Sequence, residues 1–149
     1  MVIGKMIEYG ILQENELSSL LELYKQLNPD DVIDEVAAKS IWQDITRNDI
    51  KYFIAKDGDK VIASCYICII PNLTRGGKSI GFIENVITAV NYRRKGIGKT
   101  VVENAIKHAR ESNCYKILGQ SSNKRVDIHP FYKSLGFDGD SKKAFELRF

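Results

Sequence analysis

Between Arg93 and Lys99 the chain reads Arg-Arg-Lys-Gly-Ile-Gly-Lys, four cations and two glycines in seven residues. Those types at that spacing suit a phosphate. Glycines let a backbone approach oxygen atoms with no Cβ in the way. A helix is predicted to begin here, and its first N–H groups lack intrahelical partners and carry partial positive charge. The competing reading is a solvated basic turn whose glycines serve only the chain reversal. A dinucleotide fingerprint needs G-x-G-x-x-G after the first strand of a βαβ unit, and a P-loop needs G-K-[ST] after a four-residue gap. Neither spacing occurs at this loop.

Two further side chains carry proton chemistry. Glu84 lies in a strand-like run, where alternation puts it on one face with Phe82 and Val86. A carboxylate among apolar neighbours is expected to have a raised pKa and to suit a base; it can equally bind an ammonium group or a structural partner. Tyr132 precedes the helix stop Leu135-Gly136-Phe137, and a phenol can give a proton to a leaving anion. The alternative for Tyr132 is plain core packing, for which Phe131 is the better candidate. His108 and His129 have no neighbouring Cys, Ser or carboxylate in a triad or metal pattern. Cys65 and Cys68 have C-x-x-C spacing, but positions three apart on a strand face opposite ways, and no second pair completes a zinc site. The three cysteines read as structural thiols, and no metal is expected.

The elements that must position these groups follow from periodicity. Met6 to Leu12 reads as a strand. Leu17, Leu20, Leu21, Tyr24 and Leu27 recur every three or four residues before Asn28-Pro29, and Val36, Ile41, Trp42 and Ile45 mark a second helix over Glu35 to Arg47. Lys51 to Lys56 and Lys60 to Ile70 are strands joined across Asp57-Gly58-Asp59, and Ser79 to Val90 is a third after the turn at Gly76-Gly77. From Gly98 the period becomes helical, with Val101, Val102, Ala105, Ile106 and Ala109 on one face as far as Ser112. Tyr115 to Gln120 reads as a strand, Asp127 to Leu135 as a helix with Asp127 as its cap and Pro130 in its first turn, and Ala144 to Phe149 as a last alternating strand. The order is βααβββαβαβ, an α/β or α+β domain spanning residues 1–149.

The segment Arg93-Arg-Lys-Gly-Ile-Gly98 resembles the [RQ]-x-x-G-x-[GA] signature of the GNAT superfamily of N-acetyltransferases. Ile83-Glu-Asn-Val-Ile-Thr88 is similar to the family's cofactor-binding strand, and Phe131-Tyr-Lys-Ser-Leu-Gly-Phe137 to its near-terminal helix ending. Asn113-Cys-Tyr-Lys-Ile117 is also similar to glucosamine-phosphate acetyltransferases, but it forms a strand and says little about substrate. The resemblance implies a mixed, mostly antiparallel sheet flanked by helices, with two central strands splayed apart. It implies acetyl-CoA, its pantetheine arm on Val86, Ile87 and Thr88 and its pyrophosphate on Arg93, Arg94, Lys95, Gly96, Ile97, Gly98 and Lys99. Glu84 then becomes the base and Tyr132 the acid of acetyl transfer to a small-molecule amine. The family often has an asparagine ahead of that tyrosine; the spacing here is longer and contains Pro130, which leaves Asn123 unassigned.

The acceptor pocket is expected between the first two helices and the turn after Ile70, where Asp30, Asp31, Asp34 and Glu35 either attract a cation or cap the second helix. A chain of 149 residues, 44% hydrophobic with net charge +3, lacks the dense cationic footprint of a nucleic-acid binder. No apolar run approaches the roughly 18 residues of a membrane span, and the start carries no secretory pattern; a cytoplasmic protein is expected, with no membrane or nucleic-acid partner. The terminal strand, with Phe145, Leu147 and Phe149, predicts a homodimer. A non-catalytic acyl-CoA-binding module and a protein N-acetyltransferase remain the alternatives.

Overall fold

Hydrophobic alternation in the centre of the chain builds a five-stranded sheet in the computed structural model, which describes residues 6–149; the leading segment read above for a secretion signal lies outside the described residues as far as residue 5. The strands are β1 (Glu8–Ile11), β2 (Lys51–Asp57), β3 (Lys60–Ile70), β4 (Ser79–Thr88) and β5 (Cys114–Leu118), in sheet order β1-β2-β3-β4-β5. The first three pairings are antiparallel, and β5 runs parallel to β4. The helices are α1 (Leu17–Tyr24), α2 (Glu35–Arg47), α3 (Ile97–Glu111) and α4 (His129–Ser134). The predicted order therefore holds as far as the fourth helix.

Period-two side chains give the sheet two covered faces. On one, Phe53, Cys65, Ile67 and Ile83 meet α3: the Cys65 thiol lies 3.9 Å from the Val101 carbonyl, and the Phe53 ring centre lies 5.7 Å from that of His108. A Cβ at Gly81 would fall 3.6 Å from that of Ala109. The helix contributes Ile97, Val101, Val102, Ala105 and Ala109 to this core, close to the expected set. On the other face lie Ser64, Tyr66 and Tyr52, with Leu20 and Leu23 of α1 buried. Cys65 is fully buried, and burial pushes its thiol up to about 12.

Three expectations need correction. Ala144 to Phe149 forms no strand, and Phe145, Leu147 and Phe149 are 89%, 79% and 115% exposed. Alternation alone does not make a strand, because its N–H and C=O groups need a neighbour, and the turn-forming run Asp138-Gly-Asp-Ser141 leads the chain away from the sheet. Asp127 does not cap α4: both its oxygens accept from Arg125, at 3.1 and 3.3 Å, and Ile128 takes the cap position. Of the apolar positions read for α2, Val36 is 80% exposed, while Ile41, Trp42 and Ile45 line a cavity and Trp42 packs edge-on against Tyr52.

Candidate active site

The site begins with one extra residue in β4. Tyr66 pairs with Glu84, and Ser64, two residues earlier in β3, pairs with Ile87, three residues later in β4. One β3 residue, Cys65, thus opposes Asn85 and Val86, which is a β-bulge. Asn85 takes φ of 50°, a left-handed conformation that asparagine adopts more readily than most side chains. The bulge breaks the alternation assumed for Glu84: its facial partner beyond the bulge is Ile87, and Val86 belongs to the bulge itself.

The same strand loses its neighbour on one side. The β4–β5 pairing runs only from Ser79 with Cys114 to Phe82 with Leu118. Gly119 follows so closely that a Cβ there would lie 2.8 Å from the Ile83 side chain, and β5 has ended by then. Among the described residues, the β4 edge from Ile83 to Thr88 has no strand partner on that side. An extended ligand carrying amides can pair with such an edge.

Beyond β4 the chain turns into α3. Ala89 N–H donates to the Ile62 carbonyl at 2.8 Å, Val90 N–H to Gln26 Oε1 at 3.0 Å and the Tyr92 hydroxyl to Asp57 at 2.6 Å. These contacts fix the turn against α1 and the β2–β3 hairpin. Gly96 caps α3 with φ of 78°, and no side chain caps the helix start. A Cβ at Gly98 would lie 2.5 Å from Thr88 Oγ1, so the helix start sits closer to the strand end than a side chain there permits unless Thr88 moves. The result is a row of backbone donors facing outward, as an anion needs.

The cations around it divide. Arg93 Nε donates to the Thr88 carbonyl at 3.0 Å, which ties the turn to the strand end. Lys95 lies over the Tyr92 ring, 5.6 Å from its centre. Arg94 and Lys99 form no ion pair among the described residues and flank the helix start.

Glu84 is half-buried, and Gln120 Nε2 donates to its Oε1 at 3.2 Å. Tyr132 packs edge-on against Phe131 and Phe137, with ring centres 5.2 and 5.8 Å away. Burial, with Cys65 and Glu84 nearby adding to it, pushes its hydroxyl above the ordinary phenol value. Phe131 approaches Gly98, so α4 brings Tyr132 toward the same end of the β4 groove. His129 Nε2 lies 3.1 Å from the Ser122 carbonyl, a local contact. Asp34 caps α2 by accepting from Ala37 N–H at 2.8 Å, and Asp31 accepts from Asn28.

Gln120, Asn85 and Tyr52 carry no site reading in the sequence, and Tyr24 enters it only as an apolar position of the first helix. A left-handed asparagine inside a strand has a weak signature in its residue type alone. The Gln120 contact spans 36 positions and has none.

The open β4 edge, the bulge within it and the glycine-bound helix start follow one another along residues 83–98. The chain belongs to the acetyltransferase (GNAT) family, whose model matches residues 17–137, and it is an acyltransferase by that membership. It is 34% identical over 133 residues to a glucosamine 6-phosphate N-acetyltransferase of Trypanosoma brucei brucei, covering 88% of each chain. A putative acetyltransferase structure from Agrobacterium tumefaciens superposes with TM-score 0.88 at 34% identity, covering 95% of this chain and 99% of that one. An aminoglycoside N-acetyltransferase solved in complex with CoA shares the fold, with TM-score 0.82 at 18% identity over 99% and 98% of the two chains.

Proposed function

We propose that this acetyltransferase moves the acetyl group of acetyl-CoA to the primary amine of a small molecule. The observation that carries the reading is the Gly98–Thr88 approach, which leaves the α3 amides and the open β4 edge as one continuous surface. Its residues fit the group: the amides of Arg94 to Lys99 and the cations Arg94 and Lys99 would hold the pyrophosphate, and the Val86 to Thr88 backbone the pantetheine arm. Bound there, acetyl-CoA supplies a thioester whose C–S bond breaks as a C–N bond to the amine forms.

The chain's own groups manage the protons. Glu84, directly or through water, takes one proton from the attacking amine. The Tyr132 hydroxyl gives one to the departing sulfur and regains one from solvent. Its raised pKa keeps that hydroxyl protonated through neutral pH, as an acid requires.

The test is release of free coenzyme A thiol against a panel of amines, with glucosamine 6-phosphate, the substrate in the relative's name, among them. Turnover of at least one amine, lost in Tyr132→Phe, is expected. Tight acetyl-CoA binding with no turnover of any amine would instead make the chain a non-catalytic acyl-CoA module.

The same reading takes the protein as a homodimer. The terminal residues Phe145, Leu147 and Phe149 are exposed, and among the described residues β5 has β4 on one side alone, so a second copy's terminus has an edge to add to. Sedimentation at several concentrations tests it, a concentration-independent monomer being the contrary result.

A further inference from the structure

Beside the bulge, on the face that carries Glu84, α1 and α2 enclose a cavity of about 450 Å³ with Asn85 in its wall. That volume suits one small molecule. Its chemistry is unusual for a site beside a carboxylate. Most of the wall is apolar, built from α1 leucines, from Val32 and Ile33 of the connecting loop, and from Ile41, Trp42 and Ile45 of α2. Ile41 and Ile45 of α2 border this space, and so does Trp42, whose ring also packs edge-on against Tyr52 with centres 6.1 Å apart.

The charges at this cavity nearly cancel. Among the described residues its lining holds one cation, Lys25, and one anion, Asp31. Lys25 is shared with Glu22, 2.7 Å away in an exposed pair. A phosphate ester carries about −1.5 to −2 charge at neutral pH, and placing it among these side chains would set it against a single shared cation and an anion. An apolar or aromatic body meets no such penalty.

The polar groups sit at the bulge end. The Tyr24 hydroxyl and Ser64 Oγ, the latter 1% exposed, are buried together here, with Asn85 and Tyr52 within reach of the Tyr24 hydroxyl and no well-formed hydrogen bond from either hydroxyl among the described residues. A buried hydroxyl whose bonding is incomplete leaves a place where water or a ligand group completes it. Tyr66, stacked on Tyr52 with ring centres 4.9 Å apart, pairs across the sheet with Glu84.

Resting on the acetyltransferase reading, we infer that the acceptor is an uncharged-bodied primary amine with an apolar or aromatic frame, held with that frame against Trp42, Ile41 and Ile45 and its amino end toward Tyr24, Asn85 and Glu84. A phosphorylated aminosugar does not match this wall. The cavity sets the acceptor, and Trp42 and Ile41 are its specificity residues.

Trp42 is the only tryptophan of the chain, so occupancy has its own optical signal. The intact protein is titrated with phenethylamine and, separately, with glucosamine 6-phosphate while Trp42 emission is followed; coenzyme A release is then measured for both. Phenethylamine is expected to change the emission saturably and to be turned over with kcat/KM at least about 10-fold above glucosamine 6-phosphate, a difference of about 1.4 kcal/mol. Ile41→Lys, at a half-exposed position that tolerates a charge, is expected to raise KM for phenethylamine about 10-fold with kcat kept, the loss of uniform binding. Better turnover of glucosamine 6-phosphate overturns this inference and leaves the acetyltransferase reading standing. A saturable emission change with no turnover of either amine supports the cavity's chemistry and counts against the acetyltransferase reading. No emission change with phenethylamine overturns the inference outright.

Discussion

At Glu84 and Tyr132 the site offers one proton acceptor and one donor, and their surroundings differ. Glu84 is half-buried and held by Gln120; Tyr132 is packed between two phenylalanines. Glu84→Gln keeps the side chain's size and removes the base. If Glu84 takes the amine proton, kcat/KM should fall about 100-fold at neutral pH, with the acid limb of the pH–rate profile lost. If it only holds the ammonium, KM for the amine should rise with kcat little changed. Tyr132→Phe should lower kcat by about 100-fold while leaving the acetyl-CoA dissociation constant near its starting value. Because burial raises the Tyr132 hydroxyl above its ordinary value of 10.0, no alkaline limb from this group should enter the rate profile below pH 10. Both residues were nameable from the sequence, because their types and their place in the motif order identify them. The neighbour of Glu84 was not, since Gln120 meets it only through the tertiary fold.

Among the elements, β4 and the start of α3 act as one piece. The bulge at Asn85 turns Glu84 and Ile87 to one face, the early end of β5 frees the strand edge, and Gly98 lets the helix close on Thr88. Gly98→Ala would force a Cβ against Thr88 Oγ1, and the threonine would have to leave its χ1 well to make room. An overpacking cost of about 1–3 kcal/mol is expected, seen as a lower Tm and as weaker acetyl-CoA binding by calorimetry. Adding Thr88→Ala should restore most of both. Should binding stay weak in the double variant with Tm recovered, the glycine acts on the ligand and not through the strand. The helices and the three central strands were legible from periodicity, which depends on neighbours within a few residues. The terminal strand was not, because pairing is a property of two segments, and 144–149 has no partner in the sheet.

Across the whole molecule, the phenols between the sheet and its helices make stability sensitive to alkali. Burial raises Tyr24, Tyr66 and Tyr132, and carries Tyr52 to about 12, from an ordinary 10.0. Above pH 10 the unfolded chain gives up these protons first and the folded chain keeps them. Their contribution to stability is therefore complete below pH 10 and is lost as pH rises through the folded values. Urea midpoints should hold steady up to about pH 9.5 and then fall. Tyr52→Phe should shallow that fall, and an unchanged slope would remove Tyr52 from the account. The sequence by itself determined the order of elements from β1 to α4, the glycine-bearing helix start and the residue types able to move protons, because these depend on local period and covalent identity. Only the tertiary structure decided that Arg93 Nε bonds the Thr88 carbonyl, that a bulge puts Ile87 in place of Val86 on the Glu84 face, and that Ile41, Trp42 and Ile45 of α2 line a cavity. Each of those rests on which distant segment lies opposite, a quantity no local pattern contains.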